Sequence, residues 1–537
     1  MQINSPYQAL AQKAGERPLA PFLHIPAHAD CSAIEIAYGD MLERVDRLRA
    51  RYKKSGVRPG ERVGLLLENT EHFFAHFLAL NSLGVSVAPI NPDYRSGELS
   101  YLLEHAEAVF VVALEKYHDE LRRAAASLPI YDETLAALPE NGPITAGFEP
   151  LPGTECVVLY TSGTTGKPKG CLLNNAYFIG IGQQYLELGG VCQVEPWQER
   201  LITPLPMFHV NALACSMMAM IMSGGCVVQL DRFHPRTWWS DVAKSGATIA
   251  HYLGVMPAIL LSLPPQDDET NHRIKFAFGA NCDPRHQLAF EKRFSIPLVE
   301  AWGMTETAGA GSIASCHEPR NPGTRCIGRP QSQLDVCLLD ESGAQVKGEG
   351  QGELLVRAIG PDPMKGFFSG YLKDPVTTQR AWEGGWFHTG DIVRRGPDGQ
   401  YCFVDRLKNV IRRAGENIAA LEVEAVILDV PGVLQVAVIA YPDPVRDEEV
   451  FACVRVDAHI VQDLAMAQAI QRYCLQQLAY YKAPGYVAFV DTLPTTSSNK
   501  VQKARLSDLV VGPLAEGKSF DLRAGKKRGA VSLEGSV

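Results

Sequence analysis

Residues 160–170 read YTSGTTGKPKG, directly after the apolar run Cys156-Val157-Val158-Leu159. Hydroxyls, glycines and ammonium groups at the mouth of a strand are what a polyphosphate needs. Glycine lets backbone N–H groups approach phosphate oxygens, Thr161, Ser162, Thr164 and Thr165 donate hydrogen bonds, and Lys169 supplies charge. The spacing is not that of a G-x-x-x-x-G-K-[ST] loop. Gly163 stands three residues before Gly166, and Lys167 is followed by Pro168. A plain Gly/Thr surface turn is the competing reading, and eleven ordered positions count against it.

The elements that must position this loop alternate. Residues 63–67 form an expected strand, and Asn69 and Thr70 offer N-cap chemistry to a helix with Phe73, Phe74, Phe77 and Leu80 on its apolar face, ended by Gly84. Strands at 85–89 and 109–113 flank a helix at 99–105, and the pattern returns at 226–230, 235–244 and 248–252. Strands separated by helices imply parallel pairing. From about 335 the texture changes to short strands with Gly-rich turns (335–339, 352–356, 399–404), an antiparallel or barrel-like segment. A compact last unit follows 405: helices at 422–429 and 464–477, and strands at 436–440, 451–456 and, last, 486–490. Beyond 511 a loose tail is expected, with the basic run Lys526-Lys527-Arg528 at a solvated end.

A net charge of −9 disfavours nucleic acid as a partner. The thirteen cysteines show no C-x-x-C pair, which fits a reducing cytoplasm. Only 205–230 could be mistaken for a membrane span. It contains His209, Asn211, Ser216 and two glycines, so it reads as a buried helix followed by a strand.

Further segments follow the loop in order. They are Pro204-Leu205-Pro206-Met207-Phe208-His209-Val210-Asn211; Gly279-Ala280; Ala301-Trp302-Gly303-Met304-Thr305-Glu306-Thr307; Trp386-Phe387-His388-Thr389-Gly390-Asp391; Asp405-Arg406-Leu407-Lys408-Asn409, continued by Ala414-Gly415-Glu416-Asn417; and Pro494-Thr495-Thr496-Ser497-Ser498-Asn499-Lys500-Val501. With the loop, they resemble the adenylate-forming superfamily of acyl-CoA synthetases, luciferases and peptide-synthetase adenylation domains, over roughly 61–506. The D-R-x-K junction and the A-G-E-N run resemble the acyl- and aryl-CoA ligase branch. Stretches 233–239 and 360–365 also look similar to bacterial crotonobetaine/carnitine-CoA ligases.

The resemblance implies an α/β chain: a large N-terminal domain (1–404) of parallel α/β sheets plus a small β-barrel-like segment, a hinge (405–408), a small mobile α+β cap (409–510) and the tail. It implies ATP, Mg2+ and coenzyme A acting on a small-molecule carboxylic acid, without a membrane span, and leaves a homodimer open. Lys500 is then the catalytic lysine. Thr161, Ser162, Gly163, Thr164, Thr165 and Lys169 hold pyrophosphate, and Gly279, Ala280, Trp302 and Gly303 line the adenine. Thr305 reaches the α-phosphate, and Glu306 with Thr161 holds the metal. Asp391 takes the ribose, Arg406 adds charge, Lys408 is the hinge, Gly415 meets the CoA arm, and His209 gates the acyl pocket. His209 taken alone also reads as a core histidine satisfied by the backbone. Departures from the pattern are Trp302 for Tyr, Asn281 for Pro or Glu, Ala414 for the first of two glycines and Asn499 for Gly. A carrier-protein-loading acyl-AMP ligase and a non-catalytic nucleotide binder stay open as alternatives. Ala308-Gly309-Ala310-Gly311 suggests a roomy pocket floor, and the acid itself is not legible.

Overall fold

The computed structural model describes residues 3–27, 32–94, 96–140, 142, 148–161, 168–266, 268–413, 416–443, 446–495, 501–503, 505–506 and 519–526. The contacts divide the chain into two compact units: 1–337 with 355–388 and 396–402, and 338–354 with 389–395 and 403–537.

The first unit contains a seven-stranded sheet in the order Gly370–Tyr371, Lys169–Asn174, Glu155–Thr161, Ser86–Pro89, Arg62–Leu66, Ala108–Ala113, Ile130–Tyr131. Arg62–Leu66 pairs in parallel with both Ser86–Pro89 and Ala108–Ala113, as the alternation requires. A second run of strands is also mainly parallel: Pro21–Ile25, Cys226–Gln229, Arg200–Thr203, Ile249–Leu253, Phe276–Ala280 and Leu298–Trp302. The helix Glu71–Asn81 is buried on every face, including His76 and Asn81, which is the mark of a core helix. Its Phe77 ring meets Phe178 of the helix Asn175–Leu186 at 5.6 Å.

Asn69 does not cap that helix. Its amide donates to the carbonyls of Leu205 and Leu230, and its Oδ1 accepts from the Met207 N–H at 2.9 Å, so it ties down the segment leading to His209. The expected helix after 205 begins as a π-helical turn, Asn211–Ser216, before the α-helix Met217–Ser223 and the strand Cys226–Gln229. No helix among the described residues is long and apolar enough to cross a membrane.

In the second unit, Val410–Arg413 and Glu416–Ala419 form a hairpin. Val433–Asp443 and Asp447–Val456 form a longer one, and the latter strand pairs in parallel with Tyr486–Phe489. Helices Ala420–Leu428 and Leu464–Gln477 cover an aliphatic core of Ile411, Ile418, Val423, Ile427, Val454 and Ile470. The strand at 486–489 is not the last. Ser519–Asp521 adds to it antiparallel, and Lys526, expected at a solvated end, has its side chain wholly buried.

Candidate active site

The phosphate-loop candidate closes a β-hairpin. Thr161 ends one strand and stands opposite Lys169 at the start of the next, with Tyr160 opposite Gly170. Ser162, Gly163, Thr164 and Thr165 lie outside the described residues, as do Lys500 and Gly415. What is described is the mouth of the loop, and its Lys169 end meets a tyrosine. The Lys169 ammonium sits 5.0 Å from the centre of the Tyr371 ring, and the Tyr371 hydroxyl donates to Glu306 Oε1 at 2.9 Å. Burial and the Glu306 carboxylate hold the Tyr371 phenol well above its ordinary range, so it is a fixed donor. The Phe368 N–H also donates to the Glu306 carbonyl at 2.9 Å, so 368–371 grips that residue by backbone and side chain.

Thr305 precedes Glu306 in a turn held by the Tyr177 hydroxyl, which donates to its carbonyl at 2.9 Å. Thr161 Oγ1 lies 3.9 Å from the Cys171 sulfur, whose thiol is pushed up by burial and then by Glu306. Glu306 itself is only 7% exposed. An enclosed carboxylate beside a hydroxyl and an ammonium suits a divalent cation shared with phosphate oxygens. No cluster of three or more metal-ligating side chains exists among the described residues.

Trp302 ends the strand Leu298–Trp302 and is 5% exposed, so little of its ring surface is open. A Cβ built on Gly303 would meet nothing within 4 Å. Gly279 is needed by its neighbours: a Cβ there would stand 2.3 Å from the Tyr252 carbonyl oxygen. The carbonyl of Ala280 accepts from the Gly254 N–H at 3.0 Å, and Asn281 follows with φ +65°, a conformation Asn tolerates. Glu300, two residues before Trp302, holds this turn through the Cys282 N–H (3.0 Å) and also accepts from the Tyr252 hydroxyl. Burial pushes its carboxyl up to about 7.

His209 lies in the turn entering the π-helix, its ring 4.7 Å from Phe208 and its carbonyl accepting from Leu213 N–H at 3.0 Å. The roomy floor is corrected. A Cβ on Gly309 would stand 2.5 Å from the Gly366 carbonyl oxygen and 2.7 Å from that of Tyr177, so Gly309 serves backbone packing, and one on Gly311 would stand 3.1 Å from Leu334 Cβ.

In the second unit, Asp391 is 2% exposed and its Oδ1 pairs with Arg406 Nε at 3.0 Å. The two ribose and phosphate candidates are thus engaged with each other. Arg406 leads into the short 3-10 turn Leu407–Asn409 that carries Lys408. Asp405 is fully buried. It accepts from Arg406 N–H (2.7 Å) and from Leu421 N–H (2.9 Å) at the start of the following helix.

Sequence reasoning named Thr161, Lys169, Thr305 and Glu306 but missed Tyr371 and Glu300. Tyr371 lies on a two-residue strand with no periodicity to find, and Glu300 alternates with Trp302 on one strand face, a weak signal.

A family model described as AMP-binding enzyme matches residues 11–372, and one described as AMP-binding enzyme C-terminal domain matches 422–500. The chain belongs to the AMP-binding enzyme family. Among AMP-binding enzymes, a sulfoacetate–CoA ligase of Cupriavidus necator is 30% identical over 516 residues, covering 93% of this chain and 96% of that protein. A crotonobetaine/carnitine–CoA ligase of Proteus mirabilis is 29% identical over 504 residues, covering 88% and 93%. Two solved structures share the fold. The o-succinylbenzoate CoA synthetase of Bacillus subtilis with its acyl-adenylate has a TM-score of 0.81 at 22% identity, covering 94% of this chain and 99% of that chain. ATP-bound MatB from Rhodopseudomonas palustris has a TM-score of 0.80 at 24% identity, with the same coverage.

Proposed function

We propose that this AMP-binding enzyme is an ATP-dependent acyl-CoA ligase. The observation that carries the reading is Tyr371, which gathers the Lys169 ammonium and the Glu306 carboxylate at the mouth of the 161–169 hairpin. A cation and an enclosed carboxylate held by a fixed donor suit a polyphosphate with its counter-cation, and the coverage of CoA ligases at up to 30% identity supports the acid and thiol halves of the reaction.

In the first step the substrate carboxylate attacks the α-phosphorus of ATP, and pyrophosphate leaves. In the second the CoA thiol attacks the adenylate carbonyl, loses its proton, and AMP leaves. Catalysis is alignment and charge stabilisation. Thr161, Ser162, Thr164, Thr165 and Lys169 hold the pyrophosphate, and Lys500 bridges the carboxylate and the α-phosphate. Glu306, with Thr161, would hold Mg2+, which supplies charge neutralisation on the phosphates when bound. Asp391 takes the ribose hydroxyls once Arg406 turns to the phosphates. The cap (409–510) moves about 405–408 between the steps, so that Lys500 withdraws and Gly415 reaches the CoA arm. The scattered cysteines, with no C-x-x-C pair in the sequence, support a cytoplasmic setting.

The test is acid-dependent pyrophosphate exchange, then AMP release with CoA. The two relatives are named for sulfoacetate and for crotonobetaine or carnitine, so the acid panel begins with small acids carrying a second charged group. Lys500→Ala should cut adenylation about a hundredfold or more while sparing thioester formation from supplied acyl-adenylate. Pyrophosphate release that needs no acid would sink the reading. Thioester formation on a holo-carrier but not on CoA would transfer it to a carrier-loading ligase.

A further inference from the structure

The second unit buries an ionic cluster that the proposed chemistry does not use. Glu449, with no exposed side-chain surface, takes Arg413 Nε at 2.9 Å on each carboxylate oxygen. The Lys526 ammonium, equally enclosed, donates to Glu449 Oε1 at 2.6 Å and to the Tyr481 carbonyl at 3.0 Å. A carboxylate and two cations are thus held out of water together. Such a site costs more than an apolar plug of the same shape, so an ammonium kept there points to placement rather than bulk stability.

The residues that bring Lys526 in form a strap. Ser519–Asp521 pairs antiparallel with Tyr486–Phe489, Leu522 enters the aliphatic core, and its N–H donates to the Gly485 carbonyl at 2.8 Å. Gln471 Nε2 donates to the Leu522 carbonyl at 2.8 Å. Arg523 reaches the buried Asp443 at 2.9 Å. Gly485 presses directly on Glu449: a Cβ there would stand 2.5 Å from its Cγ and Cδ. The strap's anchor and the carboxylate are therefore one packed unit. The strap itself, 519–526, lies beyond residue 500, where the match to the C-terminal family domain stops.

Arg413 is the last residue of Val410–Arg413 and stands opposite Glu416, so it closes the paired part of the hairpin and immediately precedes Ala414-Gly415 in sequence. We propose that the strap 519–526 positions this hairpin for the acceptor thiol, with Lys526 as the positioning residue acting through Glu449 and Arg413. The inference rests on the proposed reading of Gly415 as the segment that meets the CoA arm. A strap that sets only this hairpin affects the thioester step and leaves the adenylation step alone.

The experiment measures both half-reactions of the full chain carrying Lys526→Met or Gly415→Val. The Met variant should raise the KM for CoA about tenfold, with pyrophosphate exchange and the KM for ATP within about twofold of wild type. If Gly415→Val raises the KM for CoA and Lys526→Met does not, the strap's role is overturned and the hairpin reading stands. If Gly415→Val leaves it unchanged, the hairpin reading fails and the strap's role with it. Equal loss in both half-reactions for Lys526→Met would show a merely structural role and overturn the inference. Should the Met variant fail to fold, Lys526→Gln is judged by the same outcomes.

Discussion

Tyr371 does at residue scale what no motif announced: one hydroxyl and one ring face hold an acid and a base in a fixed relation. A hydrogen bond to a charged group contributes about 1.5–3 kcal/mol, so Tyr371→Phe should lower pyrophosphate exchange by tenfold to about a hundredfold. The melting temperature should stay near that of wild type, and unchanged exchange would remove Tyr371 from the site. Glu300 carries a second prediction. Its carboxyl rises from the ordinary 4.5 to about 7 because burial disfavours the charged form. A folded state that binds the proton more tightly than the unfolded chain gains stability at low pH. That contribution is complete below about 4.5 and is lost as pH climbs through 7. Glu300→Gln keeps an acceptor for the Cys282 N–H but cannot ionise. The variant should melt above wild type at pH 8, with the gap closing at pH 5.

At the scale of elements, the adenine-side turn depends on two chain segments touching without side chains between them. A Cβ on Gly254 would stand 1.7 Å from the Asn281 carbonyl oxygen. Gly254→Ala should therefore cost about 2 kcal/mol or more and raise the KM for ATP, read by thermal melts and by exchange at graded ATP. The same elements show what a sequence discloses. The parallel strands of the first unit were legible because apolar runs alternate with helical periodicity. The hairpin that bears the phosphate loop was legible only in its chemistry, since nothing in YTSGTTGKPKG says that the chain returns antiparallel from Lys169 onward. Asn69 looked like a cap, and its actual partners, Met207 and Leu230, lie far along the chain where local patterns cannot reach. Gly309 reads as space in the sequence when it marks backbones in contact.

For the whole molecule, the two compact units do not simply follow the family matches at 11–372 and 422–500, because 338–354 lies within the first match and belongs to the second unit. Asp405, bonded both to the chain beside it and to the helix at Leu421, sits at the proposed pivot. Lys408→Pro removes one backbone donor and fixes one φ there. It should slow thioester formation at least tenfold while acyl-adenylate still accumulates, measured by quenched single-turnover assays. The strap was illegible because its signal was composition, Gly-rich and charged, which usually denotes a solvated end. Only the pairing of Phe520 with Val487 and the pocket around Lys526 reveal it. Every described cysteine except Cys402 is buried. With Cys31 and Cys402 replaced by serine, maleimide dyes attached through one new surface sulfhydryl in each unit would label selectively, and energy transfer between them would time the pivot's swing.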